Sequence, residues 1–259
     1  MKRTVGSDEG RLTIDLDEVD SVEVQLVGGE IMVAGSAGPG RLEVEWLAGP
    51  PVDVSLEGGR LAVRQVSELW GLRRGPRAAV AVTCPPGTAV RTRSVSAPTV
   101  VAGIAAAVTT TTVSGSVTWG YVSGELTAHT VSGRVDMEGV GGALRVDSVS
   151  GPIGVAGGHL RDLSVLSTSG DVAVDLESQR GGRYRCRTVS GDVAIVLSPE
   201  ADLTVDAATI SGRVDLPADR SRRQRGCRRA VLGSGDGSLR VDSVSGRLAV
   251  LLREPVPTP

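Results

Sequence analysis

Between Thr112 and Gly151 the chain reads TVSGSVTWGYVSGELTAHTVSGRVDMEGVGGALRVDSVSG, and a glycine returns every nine residues. Counting from Gly115, apolar side chains stand at +2, +4 and +7: Val117, Trp119 and Val122, then Leu126, Ala128 and Val131, then Val135, Met137 and Val140. The +2 and +4 positions share one face of a strand, because successive side chains point to opposite sides. The step from +4 to +7 breaks that period and requires a bend. Ser-Gly supplies it, since serine hydrogen-bonds locally and glycine accepts backbone geometries closed to other residues. A helix is excluded, because a glycine every nine residues costs about 1 kcal/mol each time.

One strand of this kind cannot bury its apolar face alone, so the units must stack in register. From Gly151 onward every second unit carries extra residues. Two units per coil would place all these insertions on one edge. The expected fold is therefore all-β: a parallel β-solenoid of about 18–21 residues per coil, with about eight coils spanning about 40 Å. A two-sided and a three-sided cross-section both fit. Val172, Val193 and Val214 are expected as consecutive rungs, with Asp171, Asp192 and Arg213 stacked beside them.

Residues 1–87 are less regular. Runs at Leu12–Leu16, Val22–Val27, Glu30–Val33, Leu42–Trp46, Val52–Leu56, Arg60–Gln65 and Ala78–Thr83 read as strands separated by Gly and Pro turns. VDVSLEGGRLAVRQV reads as a hairpin. The expected division is an N-terminal β cap or lead-in over 1–87, the repeat domain over 88–252 and a Pro-rich tail over 253–259 that blunts the last strand.

The motifs TVSG, YVSG, SVSG, STSG and TISG, each followed by an alternating apolar pair, resemble the bacterial DUF4097 β-strand-repeat family, often labelled "putative adhesin". The resemblance runs from about residue 12 to residue 252. It implies a β-solenoid or β-helix and brings no catalytic residues with it.

Composition narrows the function classes. Aromatic residues make up 2% of the chain and phenylalanine is absent, so the interior must be a thin layer of Val, Leu, Ile and Ala. No Ser-His-Asp or Cys-His motif is present, and the Ser-Gly steps are corners rather than nucleophile elbows. A calcium-binding β-roll needs acidic residues recurring at the turn; here Ser116, Glu125 and Arg134 follow the glycines. A carbohydrate-active β-helix would cluster carboxylates and aromatics, whereas Trp46, Trp70 and Trp119 share no register. The expectation is no enzyme, no cofactor and no metal. Cys84, Cys186 and Cys227 match no zinc or disulfide spacing, and no apolar run is long enough to span a membrane. Together these suggest reduced thiols and a cytoplasmic location.

The sharpest outlier is PADRSRRQRGCRRAV, which places Arg220, Arg222, Arg223, Arg225, Arg228 and Arg229 in one insertion. Such a loop is a candidate for holding a polyanion or nucleic acid, although no aromatic is present to stack on bases. Its alternative role is to fold back over acids on the same variable edge, where His159, Glu177, Glu200 and Asp202 also fall. The leading expectation is a scaffold or protein-interaction module, with self-association as one form of that interaction; anion or nucleic-acid binding through 220–229 is the alternative.

Overall fold

A computed structural model describes residues 1–6, 10–65, 75–217, 222–224 and 227–254, with the backbone alone described at 222–224. The chain divides into two compact units, Met1–Arg134 and Val135 onward. Each unit is all-β and is built from two sheets. Each regular coil gives one strand to the first sheet and one to the second, so the cross-section has two sides.

The first unit holds β1 (Lys2–Val5), β2 (Arg11–Leu16), β3 (Ser21–Leu26), β4 (Gly28–Gly35), β5 (Gly40–Ala48), β6 (Val52–Glu57) and β7 (Arg60–Arg64). It continues with β8 (Arg77–Cys84), β9 (Ala89–Ser94), β10 (Thr99–Ala102), β11 (Val108–Thr112), β12 (Val117–Gly120) and β13 (Ser123–Thr130). In the first sheet β9, β11 and β13 are parallel, with Val90, Val108 and Leu126 in register. In the second sheet β4, β10 and β12 are parallel, with Val33, Val101 and Trp119 in register. Every one of these side chains except Val90 is at most 2% exposed, and Val90 is 3% exposed. Alternation therefore does what the sequence required: one face of each strand goes inside, where burying a valine or leucine stabilises by about 1.5–3 kcal/mol.

All seven expected runs in residues 1–87 are strands. β6 and β7 form the antiparallel hairpin around Gly58-Gly59, and β1, β2 and β5 also pair antiparallel. Within this region β3 and β4 already form a parallel coil, because β3 pairs with both β7 and β9 and β4 with both β8 and β10.

The second unit begins with β14 (Val135–Glu138), β15 (Gly141–Ser148), β16 (Ile153–Ala156), β17 (Leu160–Ser167), β18 (Val172–Leu176) and β19 (Arg183–Ser190). It ends with β20 (Val193–Leu197), β21 (Leu203–Thr209), β22 (Arg213–Asp215), β23 (Arg222–Gln224), β24 (Cys227–Leu232), β25 (Gly237–Ser245) and β26 (Arg247–Leu252). The first sheet runs β15-β17-β19-β25-β21-β24-β23 and the second β14-β16-β18-β20-β26-β22. The inserted residues all fall where the chain passes from a second-sheet strand to the next first-sheet strand, which is the single variable edge read from the sequence.

One expectation is overturned. Val172 pairs with Val193, but Val193 pairs with Leu248, and it is Leu248 that pairs with Val214. The last coil, β25 and β26, is inserted ahead of the coil that precedes it in sequence. The acid-base ladder changes likewise: Asp171 accepts from Asp192 N, Asp192 accepts from Arg247 N, and Arg213 pairs with Arg247. Strand length accounts for the order. β26 matches β20 over five residues, whereas β22 has three and is stopped before Pro217. The coil with the longer ladder takes the interior and the short strand is left at the edge, where fewer backbone groups need partners.

Candidate functional site

The T-V-S-G corner is a hydrogen-bonded unit. Thr112 points inward and its Oγ1 accepts from Gly115 N at 3.0 Å; Thr130 does the same for Gly133 N at 2.9 Å. Ser148 and Ser167 repeat the contact in the second unit with Gly151 N and Gly170 N. The following serine reaches across to the neighbouring coil. Ser114 Oγ donates to Val95 O at 3.2 Å, and Ser132 Oγ to Val113 O at 3.3 Å. Glycine is required because a Cβ at Gly115 would stand 2.2 Å from the carbonyl oxygen of Ala97 on that coil.

Between the inward threonine and the bridging serine, the valine has nowhere to go but outward. In the first unit Val95, Val113 and Val131 are 39%, 46% and 46% exposed, one above the next. In the second, Val149, Val189 and Val244 are 48%, 50% and 43% exposed and Ile210 reaches 82%. The alternate corners differ: Ile104 and Val122 are fully buried, as is Val140. The nine-residue motif thus hides an 18-residue one: in the first unit every second +7 side chain is core and the others build an apolar column along a corner, whereas in the second unit the polar Thr168 interrupts the column between Val149 and Val189. Large apolar residues on a surface in a row, rather than singly, mark a contact surface.

A second feature covers the outer face of the first sheet in the second unit. β19 alternates Arg183, Tyr184, Arg185, Cys186 and Arg187, with the tyrosine and cysteine inside and the arginines outside. Burial pushes the Cys186 thiol up to about 12. Arg240 on β25 and Arg145 on β15 face the same way. Asp162 accepts from Arg183 Nε at 2.8 Å and Arg161 Nε at 3.0 Å, and the Arg183 hydrogen bond, followed by that of Arg161, holds its carboxyl below the ordinary range.

A third feature lies on the first unit. Glu23, on the outer face of β3, has a side chain only 8% exposed. Arg60 bonds its Oε2, Arg64 lies 3.3 Å from the same oxygen and Arg93 is 3.0 Å from Oε1. The Arg60 hydrogen bond outweighs burial and lowers the carboxyl's pKa. Beside it the small side chains of Ser55 and Ala62 leave a depression of about 670 Å³, walled by Lys2, Asp53, Glu57, Arg60 and Arg64.

The residues singled out from the sequence are distributed as follows. Arg222 and Arg223 lie on β23 and Arg228 and Arg229 on β24, which pair antiparallel with each other. Arg220 and Arg225 fall outside the described residues, as do Trp70 and residues 255–259. β24 continues the first sheet through β21, and Arg229 Nε sits 3.2 Å from Asp206. The variable-edge acids have other partners. His159 Nδ1 is 3.4 Å from Glu177 Oε2. Asp202 accepts from Ser234 Oγ and from Gly235 N and Asp236 N, at 2.7, 2.6 and 3.1 Å, which fixes the turn between β24 and β25. Those bonds, Ser234 first, lower its pKa. Glu200 is exposed in the turn after β20. Arg253, beyond β26, bonds Asp175 and comes within 3.9 Å of Glu177. The sequence reading missed the valine column because a nine-residue average merges two unlike corners, although the Thr or Ser three residues before each glycine marks the exposed kind. It missed the sheet-face arginines because RYRCR is an alternation rather than a run.

Among the described residues no cluster of three potential metal ligands occurs, and no helix is long and apolar enough to cross a membrane.

This architecture of two-strand coils closed by hydrogen-bonded Ser-Gly corners defines a parallel β-solenoid. The DUF4097 family model, described as Toastrack DUF4097, matches residues 4–251, and the chain belongs to that family. Solved structures similar to it include a putative cell adhesion protein from Clostridium sporogenes, 11% identical, covering 94% of this chain and 99% of that one with a TM-score of 0.26. A putative lipid binding protein from Parabacteroides distasonis is 12% identical, with coverage of 94% and 96% and a TM-score of 0.46. A putative adhesin from Bacteroides fragilis is 10% identical, with coverage of 93% and 97% and a TM-score of 0.46. No curated protein matches.

Proposed function

We propose that this chain is a non-enzymatic scaffold that associates with a second copy of itself along the exposed valine corner, and that it works in the cytoplasm. The observation that carries this reading is the column Val95, Val113 and Val131 in the first unit, with Val149 and, past Thr168, Val189 and Val244 at the same corner in the second. The core does not need these side chains, since the coil closes through its threonine, serine and glycine. A second solenoid is the partner that matches them rung for rung, because it carries the same apolar group at the same strand spacing, about 4.8 Å. The exposed thiol of Cys227 favours a reducing compartment. Anion binding through 220–229 alone is the weaker reading, because Arg228 in that segment is half-buried.

Sedimentation equilibrium over rising concentration tests the proposal. Self-association is expected, and replacing Val95, Val113 and Val131 with serine is expected to weaken it at least a hundredfold. That figure follows from about 1 kcal/mol for each half-exposed valine. A wild-type chain that stays monomeric at the highest concentration refutes it.

A further inference from the structure

The outer face of the first sheet in the second unit carries seven arginines, at 145, 161, 183, 185, 187, 229 and 240, against the aspartates 147, 162, 206 and 242. That is an excess of three positive charges on one face of a chain whose net charge is -2. The register sets them in a row across the strands: Arg145 is beside Ser164, Ser164 beside Arg185, Arg185 beside Arg240, Arg240 beside Asp206, and Asp206 beside Arg229.

Two details separate this face from an ordinary solvated one. The first is how the aspartates hold the arginines. Arg145 meets Asp147 through Nε at 2.9 Å, Arg240 meets Asp242 through Nε at 2.9 Å and Arg187 meets the same carboxylate through Nε at 3.4 Å. Arg161, Arg183 and Arg229 also use Nε. Anchoring at the inner nitrogen fixes the guanidinium and leaves its two terminal nitrogens to a ligand. The second is that Arg185 and Arg240 are direct cross-strand neighbours, a like-charge pairing that costs stability unless an anion sits between them. Among the described residues Arg185 takes part in no ion pair.

We propose that this face binds a linear phosphate polyanion lying along the row, across the strands. Phosphate fits better than carboxylate at the Arg185–Arg240 pair. The diverging oxygens of a tetrahedral phosphate bridge two guanidiniums on strands about 4.8 Å apart, whereas a planar carboxylate takes one bidentate arginine. A chain fits better than a compact anion, because the guanidiniums are spread over successive rungs. Recognition is through phosphate alone: among the described residues no aromatic side chain stands on this face to stack on a base.

The test uses the full chain and three probes: inorganic polyphosphate, a single-stranded oligonucleotide of equal charge, and vesicles containing anionic phospholipid. Binding is measured by fluorescence anisotropy, and by flotation for the vesicles. Polyphosphate is expected to bind, with a salt dependence near a log–log slope of about -2, as expected for three phosphate contacts. The oligonucleotide is expected to bind no more tightly than polyphosphate. Arg185→Ser with Arg240→Ser should weaken binding about tenfold or more, while Arg91→Ser, on the other unit, should leave it unchanged. Far-UV circular dichroism of each variant confirms that the strands persist. Overturning results are no polyphosphate binding, a much tighter oligonucleotide complex, binding to vesicles but not to the soluble polymer, or equal losses from the Arg91 and Arg185/Arg240 variants.

Discussion

Gly115 and Gly120 stand five residues apart in the same coil, and the structure assigns opposite outcomes to the same substitution at each. A Cβ on Gly115 would lie 2.2 Å from Ala97 O, 2.8 Å from Ala97 C and 2.9 Å from Thr112 Oγ1. Relief requires the Gly115 backbone to retreat by about 1 Å from a neighbour fixed in the parallel ladder, because carbon and oxygen do not approach this closely without repulsion. That movement breaks the 3.0 Å bond from Gly115 N to Thr112 Oγ1 and strains the 2.8 Å bond from Ser114 N to Val95 O. One buried hydrogen bond and one at the surface, at about 1 kcal/mol each, plus residual overlap, give a loss of about 3 kcal/mol for Gly115→Ala. A Cβ on Gly120 meets nothing within 4 Å, and its φ is not in the left-handed region. Gly120→Ala should therefore be neutral or stabilise by up to about 1 kcal/mol through the unfolded chain. Urea titration followed by far-UV circular dichroism reads both as shifts of the midpoint against wild type. Equal midpoints for the two variants would refute the stacked-corner explanation of the Ser-Gly repeat.

Two further predictions concern single groups. The Glu23 carboxylate, held ionised by Arg60, Arg64 and Arg93, has a lowered pKa; its stabilisation is complete above the ordinary carboxylate range and disappears as pH falls through the lower folded value. Glu23→Gln should cost about 2 kcal/mol at neutral pH, with the gap to wild type closing in acid; a gap that persists unchanged in acid would contradict this. Of the three thiols, Cys227 is exposed while Cys84 and Cys186 are buried, so a thiol reagent should consume one equivalent quickly in the native protein and two more only on unfolding. Fast labelling of Cys186 would show that β19 is not packed as described.

Much of the fold was legible because alternation and corner chemistry are local. The strands between Leu12 and Thr83, the coil length of about 18–21 residues and the single variable edge all follow from residue order, whereas the choice between two sides and three does not. The order of the rungs does not. Any unit of the form G-x-V-x-V presents the same ladder to any other, so nothing in the residues near Val193 prefers Val214 over Leu248. That choice is made by total ladder length, a property of whole coils. The exposed corner was legible in part: the Thr or Ser that caps Gly115, Gly133, Gly151 and Gly170 is present in the sequence, but only its partner distance shows that the adjacent valine is pushed out. The basic face depends on which strands become neighbours, and Arg185 meets Arg240 only because the last coil moved inward.

That inward placement separates the order of strands along the chain from the order of rungs in the stack. The final two strands are sandwiched between β19 and β21 on one side of the coil and between β20 and β22 on the other. Because β25 and β26 follow β21 and β22 in the chain, β21 and β22 are made before the surface they rest on. Removing β25 and β26 would take a rung from inside the stack, so deletion there costs two interfaces where loss of an outermost rung costs one.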